Sequence, residues 1–103
     1  MLLATFEDAA AGCVAVRPLA NRVCELRRLF VNSASRSGGL GRDLVARAIE
    51  FAKYAGYQRV YLSTLPAMVH AIALYRNFGF ADIPPYVQEP SSGVVYMALE
   101  LAA

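Results

Sequence analysis

At Leu40 the apolar period of this chain changes from two residues to 3.6, directly behind RSGGLGRDL (Arg36 to Leu44), in which glycine fills three of the four positions 38–41. Up to that point, alternating and β-branched segments indicate strands. Beyond it, Leu40, Gly41, Leu44, Val45, Ala48, Ile49, Phe51, Ala52 and Ala55 share one half of a helical wheel, and Arg42, Asp43, Arg47, Glu50 and Lys53 fill the other. A strand, a glycine turn and an amphipathic helix in succession imply a crossover, so the strands on either side of the helix are expected to lie parallel.

The remaining elements follow from the same periods. LLATF and CVAVRPL flank the turn EDAAAG, and LANR turns the chain into VCELRRLFV. On that third strand Val23, Glu25, Arg27, Leu29 and Val31 share one face, while Cys24, Leu26, Arg28 and Phe30 share the other. Both faces are mixed, which predicts an interior strand with charge clustered near its start. Gly56 closes the first helix and QRVYLST reads as a buried strand. Pro66 suits a helix first turn, and Met68, Ala71, Ile72, Leu74, Tyr75 and Phe78 form a second apolar stripe that Gly79 ends. FADI is short and extended, IPPYVQEPSSG is a proline-rich loop, and VVYMALEL is a last strand. The order is β-β-β-α-β-α-β-β, an α/β chain of 103 residues without repeats or linkers, read as one domain over residues 1–103.

Composition narrows the function classes. A net charge of +2 without long runs of like charge argues against a nucleic-acid footprint, and no apolar run approaches membrane-spanning length. MLLATF is interrupted by Glu7 and Asp8 and lacks a basic leader, so the expectation is a cytoplasmic protein. In a hairpin around LANR, Cys13 falls opposite about position 28, away from Cys24, and two buried free thiols are expected rather than a disulfide. No metal is expected. The 57% hydrophobic content allows a sticky surface that favours self-association.

The glycines point to an anion. A helix N-terminus leaves amide N–H groups unpartnered and partly positive, and glycine lets a ligand approach them closely. RSGGLG therefore reads as a phosphate cradle with Arg36 as an added positive charge, able to anchor a diphosphate. Arg42 and Asp43 stand where a Walker loop needs lysine and Ser or Thr, and Leu44 stands where a dinucleotide fingerprint needs its third glycine.

The spacing of Arg36, Gly39 and Gly41 resembles the phosphate-binding signature of the GNAT superfamily of acyl-CoA N-acyltransferases, and ALYRNFGF resembles that family's second motif. The resemblance runs over roughly residues 1 to 101. It implies a mixed, mostly antiparallel sheet with a central parallel pair splayed at the cofactor site, and acetyl-CoA as co-substrate. It further implies that backbone amides of Ser37, Gly38, Gly39, Leu40, Gly41 and Arg42 hold the CoA pyrophosphate. Leu29, Phe30 and Val31 would lend backbone hydrogen bonds to the pantetheine arm and the acyl carbonyl. Met68 stands where relatives often have a cofactor-contacting asparagine, Ser37 where glycine is common, and Ser33 where proline is.

Tyr75 resembles the family's general acid, which protonates the departing sulfur; as a residue of the apolar stripe it also reads as a core tyrosine. Glu25 holds the spacing of the general base of some members, with burial expected to raise its pKa; otherwise it reads as an ion-pair partner of Arg27 or Arg28. His70 reads as a surface histidine. Members of the family usually begin with a strand and one or two helices that wall the acceptor site, whereas only 22 residues precede VCELRRLFV. The first strand is thus expected to have an open edge and the chain to form a homodimer or strand-exchanged assembly. Two functions follow: acetyl transfer to an amine of a small molecule or protein, with the partner chain and PPYVQEPSSG completing the acceptor site, or an acetyl-CoA-binding or dimerisation module without turnover.

Overall fold

The strand that most shapes the molecule is VCELRRLFV, because its mixed faces need neighbours on both edges and cover on both sides. In the computed structural model, which describes residues 3–8, 12–31, 40–90 and 92–101, and the backbone alone for 7–8, 28–31, 40 and 41, this is β3 (Val23–Val31), an interior strand. It lies between β2 (Gly12–Ala20) and β4 (Arg59–Thr64), with β1 (Ala4–Asp8) outside β2. Beyond β4 come β6 (Val95–Glu100) and the two-residue β5 (Ala81–Asp82), giving the order β1-β2-β3-β4-β6-β5. Among the described strands only β3 and β4 are parallel; the other neighbours are antiparallel. The chain is thus a mixed α+β sheet, and the parallel pair sits at the crossover expected from the change of period.

The turn into β3 is tighter than LANR suggests. Asn21 and Arg22 alone form it, Ala20 faces Val23, and Arg22 takes a left-handed φ of 62°. With two register shifts along the pair, Cys13 faces Phe30 rather than position 28. Cys24 is buried and Cys13 only half-buried, and both thiols are free, so the expectation of two buried thiols is corrected at Cys13.

Helix α1 (Leu40–Tyr54) buries Leu44, Val45, Ala48, Ile49 and Ala52, the stripe that the 3.6 period marks. It lies on β1, β2 and β3, where Phe51 meets Phe6 edge to face at 5.9 Å. Ala55 falls beyond the helix and is exposed, and the charged pair on its surface is Glu50 with Lys53 at 3.8 Å. Helix α2 (Val69–Phe78) begins later than Pro66 suggests. A turn in which the Met68 N–H donates to the Leu65 carbonyl, 2.9 Å away, precedes it, so the proline shapes the entry rather than the first helical turn. Gly79 ends α2 at φ 102°, and its amide caps the Arg76 carbonyl at 3.0 Å. Ala71 and Tyr75 are its buried residues.

Both helices share one face of the sheet with the core. Val14, Val16, Cys24, Leu26, Val60, Leu62 and Met97 project to that side and join the buried stripe of α1 and Tyr75 and Phe80 in a single cluster. By strand alternation the opposite face receives Ala15, Arg17, Glu25, Arg27, Tyr61, Ser63 and Tyr96. No described helix covers it. The loop between β5 and β6 does so in part, through Tyr86. No helix among the described residues is long and apolar enough to cross a membrane.

Candidate active site

The parallel pair is short by design of its register. Val23 pairs with Arg59, Cys24 with Val60 and Glu25 with Tyr61, and there the pairing stops. β3 runs on to Val31 bonded to β2, and β4 runs on to Thr64 bonded to β6. The facing edges of Leu26–Val31 and Leu62–Thr64 therefore diverge and carry backbone N–H and C=O groups with no strand partner between them. This is the splay expected of the parallel pair. An extended ligand arm can hydrogen-bond such an edge as an added strand would.

A second irregularity re-aims the backbone at the same place. Cys13 pairs with Phe30 and Val14 with Arg28, so Leu29 is skipped in the ladder and forms a bulge on β3. A bulge bends its strand and turns local amides out of the sheet's ordinary direction. Leu29, Phe30 and Val31 thus lie on β3 past the last bond to β4, where donors toward the opening are needed. Leu40 and Gly41 open α1, and Arg42 is exposed in its first turn. Arg36, Ser37, Gly38 and Gly39 lie outside the described residues, as does Ser33. In chain order α1 follows β3, and a helix N-terminus carries unpartnered, partly positive amides.

At the apex of the splay stands Glu25. Its side chain is 6% exposed, yet three donors converge on it. The Arg17 Nε donates to Oε1 at 2.6 Å, an Arg27 guanidinium nitrogen donates to the same oxygen at 3.2 Å, and the Tyr86 hydroxyl donates to Oε2 at 2.5 Å. Burial pushes the carboxyl pKa up, but the Tyr86 hydrogen bond and the two guanidinium groups outweigh it and hold the pKa below 4.5. The expected upward shift is thereby corrected. Burial counted alone gives the wrong sign because it ignores the donors that replace the lost water. Tyr86 answers in the other direction, its hydroxyl pKa raised first by burial and then by the Glu25 hydrogen bond and charge.

Tyr86 is also the centre of an aromatic row. Its ring lies 5.1 Å from that of Tyr61 and 5.3 Å from that of Tyr96, the latter edge to face at 81°. Sequence reasoning placed the proline-rich loop at the acceptor site but singled out neither Tyr86 nor Arg17. A two-residue turn alone would set Pro18 opposite Glu25, and it is the register shift between Pro18 and Ala20 that brings Arg17 there; the tether of Tyr86 is a long-range contact with no local signal.

Tyr75 lies on the other side. It is 4% exposed, belongs to the core under α2, and its ring is 5.7 Å from that of Phe80. Glu25 and Tyr75 therefore stand on opposite faces of the sheet. Only where two strands part can groups from both faces reach one reacting atom, and the β3–β4 opening is such a place. Met68 precedes α2 half-buried, and His70 is exposed as expected. A separate groove of about 300 Å³, lined by Ile49, Phe78 and Leu99 with Glu50 and Lys53 at hand, lies on the helix-bearing side. Among the described residues no group of three or more His, Cys, Asp or Glu side chains could hold a metal ion.

Comparison with known proteins agrees with this geometry. Residues 1–80 match the sequence model of the acetyltransferase (GNAT) family. An uncharacterised N-acetyltransferase of Schizosaccharomyces pombe is 41% identical over 99% of this chain and 64% of its own length. Another uncharacterised N-acetyltransferase, of Dictyostelium discoideum, is 40% identical over 78% of the chain and 38% of its own. The chain thus spans less than two thirds of the length of these relatives. Among solved structures, the Bacillus subtilis acetyltransferase in complex with CoA superposes with a TM-score of 0.75 at 22% identity, covering 94% of this chain and 73% of its own. A GNAT-family acetyltransferase of Staphylococcus aureus gives 0.77 at 23% identity, covering 89% and 60%.

Proposed function

Because the chain belongs to the acetyltransferase (GNAT) family, we propose that it transfers an acetyl group from acetyl-CoA to an amine of a small molecule or protein. The observation that carries this reading is the opening of β3 from β4 after Glu25 and Tyr61, on the strand that α1 follows in the chain. Acetyl-CoA supplies the acetyl thioester; the chain's own groups do the rest. Amides from Ser37 to Arg42 hold the pyrophosphate, and backbone groups of Leu29 to Val31 orient the pantetheine arm and polarise the acyl carbonyl. As the new N–C bond forms and the C–S bond breaks, the amine loses a proton and the thiolate gains one. Tyr75 is the donor to sulfur. Glu25, held ionised, receives the amine's proton directly or through water.

A second reading draws support from one observation. The three donors on Glu25 make it a weak base, which suits an acetyl-CoA-binding or dimerisation module without turnover. The outer edge of β1, bonded among the described residues to β2 alone, supports pairing with a second copy. Two free thiols support a reducing, cytoplasmic setting.

Titration calorimetry with acetyl-CoA, together with thiol release over an amine panel, tests both readings. Binding with thiol release is expected. Binding without release for any amine would leave the module, and no binding by the chain, with no effect of bulky replacements at Gly39 and Gly41, would end both.

A further inference from the structure

The polar cluster at the apex of the splay is not charge-balanced. Arg17 and Arg27 both donate to Glu25, so among the described side chains two positive charges meet one negative and leave +1. The bonds to Glu25 occupy the Arg17 Nε and one Arg27 terminal nitrogen, and the two side chains remain 40% and 50% exposed. Each guanidinium carries five donors in a fixed fork, so both have donors left for a second anion. Neighbouring charge is cancelled, since Arg59 pairs with Glu100 at 2.8 Å on the same side of the sheet.

Position adds to charge. Arg27 shares its sheet face with Glu25 and lies two residues before Leu29, about 7 Å along the strand. The surface is walled on the β4–β6 side by Tyr61, Tyr86 and Tyr96 and is without a described helix over it. We infer that the acceptor is a small amine that also carries a carboxylate, with the carboxylate bound by Arg27 and Arg17 while the amine reaches the opening beside Leu29. This rests on the acetyl-transfer reading for the identity of the reacting group, and on the charge and placement of the two arginines for the carboxylate. Glu25 has a positioning role here: it fixes the facing sides of both guanidinium groups and leaves their outer donors directed away from it.

The test uses the whole chain with acetyl-CoA and a ladder of ω-amino acids from glycine to 6-aminohexanoate, each paired with its own carboxamide. Rates are compared per neutral amine, and the same pairs are titrated by calorimetry into the CoA-saturated protein. At least one carboxylate should exceed its carboxamide about ten-fold or more in kcat/KM and in affinity, the size of a charge-assisted contact. Arg27→Gln and Arg17→Gln should each shrink that ratio, the carboxylate losing several-fold more than the carboxamide; a merely structural role would depress both members of a pair alike. Equal values for every pair, a ratio that neither variant changes, or no carboxylate binding at all would overturn the inference. Carboxylate-selective binding without thiol release would keep it and remove the acetyl-transfer reading instead.

Discussion

Glu25 shows how little burial alone says about a carboxylate. It is buried, but what decides its protonation is the set of donors that replaces water, and these come from β2, β3 and the β5–β6 loop. Because its folded-state pKa is lowered, the stability it contributes is present above the unfolded value near 4.5 and is lost as pH falls through the folded value. The melting temperature should accordingly drop on acidification from pH 7 to about pH 3 by more in the native chain than in Glu25→Gln, followed by circular dichroism. Equal drops would show that the carboxyl gains nothing from its partners. Tyr86→Phe removes one charge-assisted bond and should cost about 1 to 2 kcal/mol in urea unfolding, since both arginines remain. The residue scale is also where the sequence was least legible. Glu25 and Arg27 could be named as partners because they are two apart on one strand, but Arg17 depends on a register and Tyr86 on a contact across 61 positions.

At the scale of elements, legibility was greatest where a period or a terminator acts locally. The α1 stripe is buried as its spacing requires, and Gly56 and Gly79 end their helices with φ of 90° and 102°. At Gly79 two costs coincide. An added Cβ would sit 3.3 Å from the Leu99 Cδ1, and the left-handed backbone is itself unfavourable for alanine. Gly79→Ala should therefore destabilise by more than about 1 kcal/mol in equilibrium unfolding, whereas Gly56→Ala, with nothing within 4 Å of its Cβ, should show the backbone effect alone. Elements were misread where two signals competed. Pro66 is compatible with a helix start, yet the turn from Leu65 to Met68 closes first and moves the start to Val69. LANR offered four turn residues and the chain uses two, because the right-handed twist of a hairpin favours a tight connection.

The whole molecule divides along the sheet. β1, β2 and β3 with α1 form one part, β4, β6 and β5 the other, and within the sheet they meet over three register pairs. The parallel pair could be foreseen from the crossover, and its splay from the family resemblance; where the pairing stops could not, since that depends on how far each strand twists toward its other neighbour. Amides on the facing edges, from Leu26 to Val31 and from Leu62 to Thr64, should exchange with solvent faster than those in the β2–β3 and β4–β6 ladders. Acetyl-CoA should slow a subset of them, as read by hydrogen–deuterium exchange at residue resolution. An unchanged pattern at saturating ligand would mean that nothing lies along those edges.

So narrow a join also has a mechanical meaning. If the chain were held at residues 3 and 101 and stretched, the first rupture should fall between Glu25 and Tyr61. A bound molecule bridging the two banks should then raise the force at which that rupture occurs.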